Sequence, residues 1–445
     1  MKQKPDLSFW QLWNLSFGFF GVQIAYALQS GNVSRIFSTM GADPKSLGWF
    51  WILPPLMGMI VQPIVGVVSD RTWCRFGRRV PYLIAGALLA VIVMVLLPNA
   101  GSLSDVFWVA MALGAIILMF LDTSLNMAMQ PFKMMVGDIV NEKQKGTAYA
   151  IQSLLCNSGQ VVGFALPFLM SYIGFSTDAT HGVPFSLKMA FYIGAAILIA
   201  CVIYTCLKVK EMPPKEYAEY HGITEAQENE KVSMVQLLKR APSNYWRVAL
   251  VQFFCWASFQ YMWIHSTGAI ASLVWGTTDS HSIPYQEAGD WTGIVFAVQA
   301  VVSVLWAMVL PELEKKAGLK GAYAISLLIG AIGFAMIPFI HDQYLLFLPY
   351  ALTGCTWAAM LALPFTIVTN ALEGMPHMGT YLGLFNCAIC LPQIIAGLLN
   401  AGVVWLVGSQ PHMLLVSSLC LLAGVFSVKV IDDRKSKPAS MKANE

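Results

Sequence analysis

Charge is what this chain has least of. Only 11% of its 445 residues are Asp, Glu, Lys or Arg, against about 25% in soluble domains. So few ionised side chains cannot cover a water-facing surface of this size, and a soluble globular protein is excluded. Basic residues are also nearly absent from one side of the chain's topology, as shown below. No small-residue cleavage site follows the first apolar stretch, MKQKPDLSFWQLWNLSFGFF, so that stretch reads as a retained span and not as a removed signal peptide. Metal ligands are scarce as well. Cys387 and Cys390 have the spacing of a metal pair, but no His or second Cys pair accompanies them, so they are expected to be packing residues and no metal is expected. Converging catalytic groups are missing. The middles of the apolar segments hold essentially one acid, Asp122, and one histidine, His265, in separate halves, which argues against a membrane-embedded enzyme.

What is present is apolar sequence, 57% of the chain. It falls into twelve blocks, at approximately 9–31, 46–69, 80–98, 106–135, 147–172, 187–208, 247–275, 291–311, 321–340, 344–370, 379–405 and 410–431. Each approaches the ~20 residues that cross a ~30 Å hydrocarbon core. The expected fold is all-α, with twelve transmembrane helices. With the N-terminus inside, all of the 27 Lys and Arg except Arg35, Lys45 and Lys188 fall on the cytoplasmic side. That asymmetry places both termini in the cytoplasm and accounts for the net charge of +3 without a nucleic-acid partner.

The longest polar stretch divides the blocks six and six. The expected organisation is an N-terminal bundle at 1–208, a cytoplasmic linker at 209–246, a C-terminal bundle at 247–431 and a cytoplasmic tail at 432–445. Within the linker, SMVQLLKR (233–240) has the pattern of a short surface helix. The halves repeat. A shift of 233 residues places Pro131–Phe132 on Pro364–Phe365, Gly146–Thr147 on Gly379–Thr380 and Gln160 on Gln393. A shift of 241 places Arg75-x-Gly77-x-Arg79 on Lys316-x-Gly318-x-Lys320. Parallel repeats of six spans are the architecture of major facilitator transporters.

The fourth block carries the most telling residue. Asp122 is followed by Asn126, Gln130 and Lys133, which at 100° per residue share an arc of roughly 80° on one helix face. An intramembrane carboxylate is costly and marks a function by default. Out of water, a carboxylate favours its protonated form, so such a group suits proton coupling. Lys133 lies about 16 Å further along the helix, beyond direct contact. The second half replaces Asp122, Asn126 and Lys133 by Cys355, Ala359 and Thr366, so ion coupling is expected in the first half and cavity shaping in the second.

A substrate cavity needs polar partners and aromatic faces. Gln252, Trp256, Gln260 and Trp263 offer both on one face of the seventh block. Gln23 and Tyr26 in the first, Asn157 and Gln160 in the fifth, and Asn386 and Gln393 in the eleventh complete the cavity candidates. Interhelical polar packing is the competing role for each. His265 points away from the Gln252 face and suits a packing or rim position. Gly159-x-x-x-Gly163 and Gly379-x-x-x-Gly383 permit close helix approach. In the loop GVVSDRTWCRFGRRVPYLIAG, Asp70, Arg71, Arg75, Arg78 and Arg79 form a candidate cytoplasmic gate, together with Lys133 and Asp138.

VQPIVGVVSDRTWCRFGRRVPYLIAGALL resembles the matching stretch of plant sucrose–proton symporters and their bacterial and animal relatives, in the glycoside–pentoside–hexuronide branch of the major facilitator superfamily. LDTSLNMAMQPFKMMVGDIV and YLGLFNCAICLPQIIAGL are similar to the same family, with its helix-4 acid at Asp122 and its Gly-Asp at Gly137–Asp138. The resemblance implies a cation-coupled importer of a disaccharide or small α-glucoside, with protons as the usual coupling ion; no cofactor is expected, and the protein is expected to work as a monomer in the inner or plasma membrane. Four features differ from the family, one being that the second-half loop ELEKKAGLKGAY lacks a clean copy of the Arg-rich motif. The first external loop, SRIFSTMGADPKS, has no His; Lys133 stands where Arg is usual; Gln130 stands where several bacterial relatives have Glu. Sodium as the coupling ion stays open, although the first block lacks the carboxylate of sodium-using melibiose permease relatives.

Overall fold

The computed structural model describes residues 4–72, 74, 76–141, 143–180, 182–211, 234–372 and 378–432, with the side chains of residues 70, 71, 235, 378 and 379 left out. Arg75, most of the linker and most of the tail therefore lie outside the described residues, as do the side chains of Asp70, Arg71 and Gly379.

The described residues form helices and no named strand. Inside a bilayer each backbone N–H and C=O must be bonded within the protein, and a helix does this locally. In chain order the helices are α1 (Phe9–Thr39), α2 (Leu47–Trp51), α3 (Leu53–Arg71), α4 (Val80–Leu96), α5 (Phe107–Ile139), α6 (Lys145–Ile173), α7 (Phe185–Lys208), α8 (Met234–Arg240), α9 (Ser243–Val274), α10 (Ile283–Met336), α11 (Phe347–Ala371), α12 (Met378–Phe385), α13 (Cys387–Val407) and α14 (Gln410–Val428). Nine stretches of described residues are long and apolar enough to span a membrane. One of them, around α10, is two arms meeting at Gly318, which has a non-helical φ of 72°. Polar residues such as Gln23, Gln29, Gln252 and His265 keep α1 and α9 out of that set, yet these helices run 31 and 32 residues. Together these segments are consistent with the twelve spans read from the sequence.

The repeat has a structural counterpart. Gly77 and Gly318, matched by sequence, both take positive φ, at 106° and 72°. Pro131 and Pro364 both sit inside long helices, α5 and α11.

The chain divides into two compact units. Unit 1 holds Met1–Ser30, Met57–Thr177 and His181–Lys231. Unit 2 holds Gly31–Leu56, Asp178–Thr180 and Val232–Glu445. The last turns of α1 and all of α2 therefore pack with the second half of the sequence. In unit 2, Leu237 of α8 is buried while Lys239 and Arg240 are exposed, the pattern of an amphipathic turn.

Unit 1 closes on a small-residue seam. A Cβ on Gly159 would lie 2.4 Å from the Phe20 carbonyl oxygen, and one on Gly163 would lie 2.6 Å from that of Ile24. The α1 backbone thus rests directly on α6. Gly383 has nothing within 4 Å, so the second small-residue motif makes no matching close contact there. Gly163→Val should force the helices apart at a cost of about 1–3 kcal/mol. Thermal unfolding in detergent should show a lower Tm for Gly163→Val and an unchanged one for Gly383→Ala.

Candidate functional site

Asp122 sits near the middle of α5 and is 1% exposed. Its Oδ1 accepts a hydrogen bond of 2.7 Å from Gln29 Nε2 on α1. Its Oδ2 and the Gln29 Oε1 are buried without a hydrogen-bond partner among the described residues. One turn on, Asn126 Nδ2 donates to the Asp122 carbonyl at 2.8 Å, and Gln62 Nε2 of α3 donates to Asn126 Oδ1 at 2.6 Å. Gln160 Nε2 of α6 donates to Gln23 Oε1 at 3.1 Å. Four helices of unit 1 thus point amides at one another, with Gln29 and Asn126 at the acid itself and no basic side chain among its described hydrogen-bond partners.

The rest of the α5 stripe grades outward. Gln130 is half-buried and Lys133 is exposed. Asn157 donates to the Ser153 carbonyl of its own helix, which engages its amide locally. Tyr26 is half-buried.

At the Arg-rich turn, Arg78 Nη2 and Arg79 Nε reach Asp138 Oδ2 at 2.8 and 3.1 Å. Arg79 also bonds Ser69. Glu211 carries a role the sequence did not reveal. Its carboxylate accepts from the backbone N–H groups of Arg78, Arg79 and Val80, at 2.9, 2.8 and 2.7 Å. It thereby satisfies donors that every helix N-terminus leaves open. These partners of Arg78 and Arg79 all belong to unit 1.

Unit 2 holds an aromatic platform. Trp263 stacks on Trp51 with ring centroids 6.0 Å apart and planes at 6°. Trp357 of α11 meets Trp256 at 5.6 Å and Trp263 at 5.7 Å, edge to face. Trp256 Nε1 and Gln260 Oε1 are buried without partners among the described residues. The other half of the Gln260 amide donates to the Trp51 carbonyl at 2.8 Å. A donor, an acceptor and several ring faces suit a polyhydroxylated ring with apolar C–H patches.

The remaining second-half candidates are engaged elsewhere. Gln252 donates to the Met360 carbonyl at 3.1 Å and accepts from Tyr323 at 3.2 Å. Gln393 bonds the Ile389 carbonyl of its own helix, and Asn386 reaches Cys390 Sγ at 3.6 Å. His265 is fully buried, with Nε2 2.7 Å from Asn400 Oδ1, a packing position.

One sequence expectation is corrected. Asp122 is not the only buried acid in the long helices. Asp290, 3% exposed, lies inside α10 and pairs with the fully buried Arg35 of α1. Both residues fell just outside the apolar blocks because the helices run on past the apolar windows. Gln29 had a visible signal, since it continues the three-residue spacing of Gln23 and Tyr26. Gln62, Trp51 and Trp357 had none.

Comparison with known proteins agrees with this architecture. The family model described as Major Facilitator Superfamily matches residues 15–397. Sucrose transport protein SUC4 of Arabidopsis thaliana is 25% identical over 416 residues, covering 84% of this chain and 80% of its own length. The general alpha-glucoside permease of Schizosaccharomyces pombe is 27% identical over 263 residues, covering 57% of this chain and 46% of its own. Among solved structures, nucleoside transporter NupG superposes with a TM-score of 0.64 at 15% identity, over 95% of this chain and 98% of that one. Peptide transporter POT in complex with sulfate gives 0.65 at 15% identity, over 97% and 98%. At such identities the structures speak for the fold alone. The family match runs through both halves of the sequence, and the helical architecture agrees with it: the chain belongs to the Major Facilitator Superfamily of membrane transporters.

Proposed function

We propose that this protein is a secondary transporter that imports a disaccharide or small α-glucoside together with protons, by alternating access. The observation that carries this reading is Asp122: a buried carboxyl held by an amide at one oxygen, with its other oxygen unpartnered among the described residues. A proton on Oδ2 removes a charge that an apolar interior solvates poorly. Occluding the site then costs less when the proton is present, which links sugar movement to proton movement.

The sugar class is supported by two things. The relatives are named for sucrose and alpha-glucosides. The Trp256–Trp263–Trp357 platform, whose Trp256 Nε1 and Gln260 Oε1 have no partner among the described residues, suits a glycoside ring. Unit 1 supplies the titrating acid and unit 2 the sugar-facing surface. The protein sits in the inner or plasma membrane as a monomer, with both termini in the cytoplasm. The Arg-rich turn belongs to the cytoplasmic gate, where Asp138 holds Arg78 and Arg79 in place.

A panel of labelled α-glucosides, offered to cells making the protein, tests this reading. At least one sugar should accumulate without sodium, and a protonophore should abolish the accumulation. Accumulation that needs sodium and survives the protonophore would contradict it.

A further inference from the structure

The last turns of α1, from Gly31 onward, belong to unit 2, although α1 opens the first half of the sequence. Arg35 lies there, fully buried. Its Nη1 donates to Asp290 Oδ1 at 2.7 Å and its Nε donates to Gln286 Oε1 at 2.7 Å. The Gln286 amide donates in turn to Thr39 Oγ1 at 3.0 Å and to the Ser280 carbonyl at 2.6 Å. Thr39 closes the loop by donating to the Arg35 carbonyl at 2.9 Å. Gly289 makes the space, since a Cβ there would lie 2.6 Å from Arg35 Cδ and Nε. Arg35 Nη2 is buried without a partner among the described residues.

This is a poor way to gain stability. Removing two charges from water costs about as much as their attraction returns, and apolar residues of similar size often pack better. An arginine with one nitrogen unsatisfied is worse still. The arrangement makes sense for a contact that must open. On opening, water reaches both charges and returns the desolvation cost, so the closed and open forms stay close in free energy. A small bias from a bound ligand or proton can then tip them. The neighbouring residue links the pair to the aromatic platform: Ser34 Oγ donates to the Trp263 carbonyl at 3.2 Å and accepts from Trp51 Nε1 at 2.8 Å.

We propose that Arg35, Asp290 and Gln286 form a latch within unit 2, on the side expected to be non-cytoplasmic, that is engaged in this structure and must release once in each transport cycle. The proposal rests on the alternating-access reading but needs neither the proton nor the identity of the sugar. It is tested on the full-length protein in right-side-out vesicles. A Val33→Cys reporter, at a fully buried position near the latch, is labelled with a membrane-impermeant maleimide. The rate is compared with that of the same protein lacking the reporter.

Arg35→Gln and Asp290→Asn should each raise the labelling rate about tenfold, because the closed form loses its charge pair. Arg35→Met/Asp290→Leu should do the opposite. It should fold with an unchanged or higher Tm, label more slowly than the parent and transport at least about tenfold more slowly, because an apolar contact has no hydration to regain on opening. Transport at the parent rate by this apolar pair would overturn the latch. Should that variant fail to fold, Arg35→Lys decides. It keeps the charge but loses the Gln286 contact, so its labelling should rise and its Tm should hold; unchanged labelling would overturn the proposal. Loss of sodium-free accumulation in the parent would instead sink proton coupling and leave the labelling result standing.

Discussion

Asp122→Asn is expected to reduce sugar accumulation to simple equilibration while leaving sugar-for-sugar exchange in place. Asn has the shape of a protonated Asp. Its carbonyl oxygen can still accept from Gln29 Nε2, the bond of 2.7 Å seen in the parent. The amides of Asn126 and Gln62 lose no partner, so the fold should survive. What disappears is the change of charge. Each charge moved inward down the membrane potential is worth about 2.3 kcal/mol per 100 mV, which is roughly 50-fold in accumulation. Net uptake against a gradient should therefore collapse in the variant. Counterflow of labelled sugar into vesicles preloaded with unlabelled sugar should continue. Asp122→Leu should do worse, because it also strips the Gln29 amide of its acceptor.

The second large effect is expected at the aromatic platform. Trp263→Ala removes the ring that stacks on Trp51 and meets Trp357 edge to face. An aromatic contact is worth about 0.5–1.5 kcal/mol, so if the Trp263 face also stacks on the sugar, its loss should raise the KM for sugar up to about tenfold, and the lost Trp51 and Trp357 contacts should lower Tm as well. Trp256→Phe separates packing from recognition. It keeps a ring but deletes Nε1, which has no protein partner among the described residues. If that N–H serves the sugar, KM should rise by up to about tenfold with no change in Tm. If Trp256 only packs, Tm should fall and KM should not move. Neither variant should alter the dependence of uptake on the proton gradient if, as proposed, that dependence rests on Asp122.

The sequence made the helical architecture plain because membrane spans depend on composition over long stretches, which no tertiary contact overrides. The repeat was equally legible. Gly77 and Gly318 both require positive φ, and Pro131 and Pro364 both sit within helices, so each match in sequence had a backbone reason. Individual side chains were harder. Spacing puts Asn157 and Gln393 on promising faces, but an amide in a helix can bond the carbonyl four residues back, and both do. Gln252 likewise meets Met360 and Tyr323, a pairing fixed by tertiary packing that spacing cannot report. Arg35 and Asp290 were hidden by a different cause. A hydropathy window ends where charges begin, while a helix ends where its backbone loses partners. Thus α1 runs on to Thr39, and α10 begins at Ile283, well before its apolar block.

The most direct test of the central claim, that Asp122 is the charge switched during transport, follows protons and not sugar. Purified protein is reconstituted into liposomes carrying an internal pH dye, with no sodium present and no pH gradient imposed. Adding a transported glycoside outside should acidify the lumen as sugar enters, and Asp122→Asn liposomes should admit sugar with no change in dye signal. Equal acidification in parent and variant, or sugar entry in the parent with no acidification, would contradict the account.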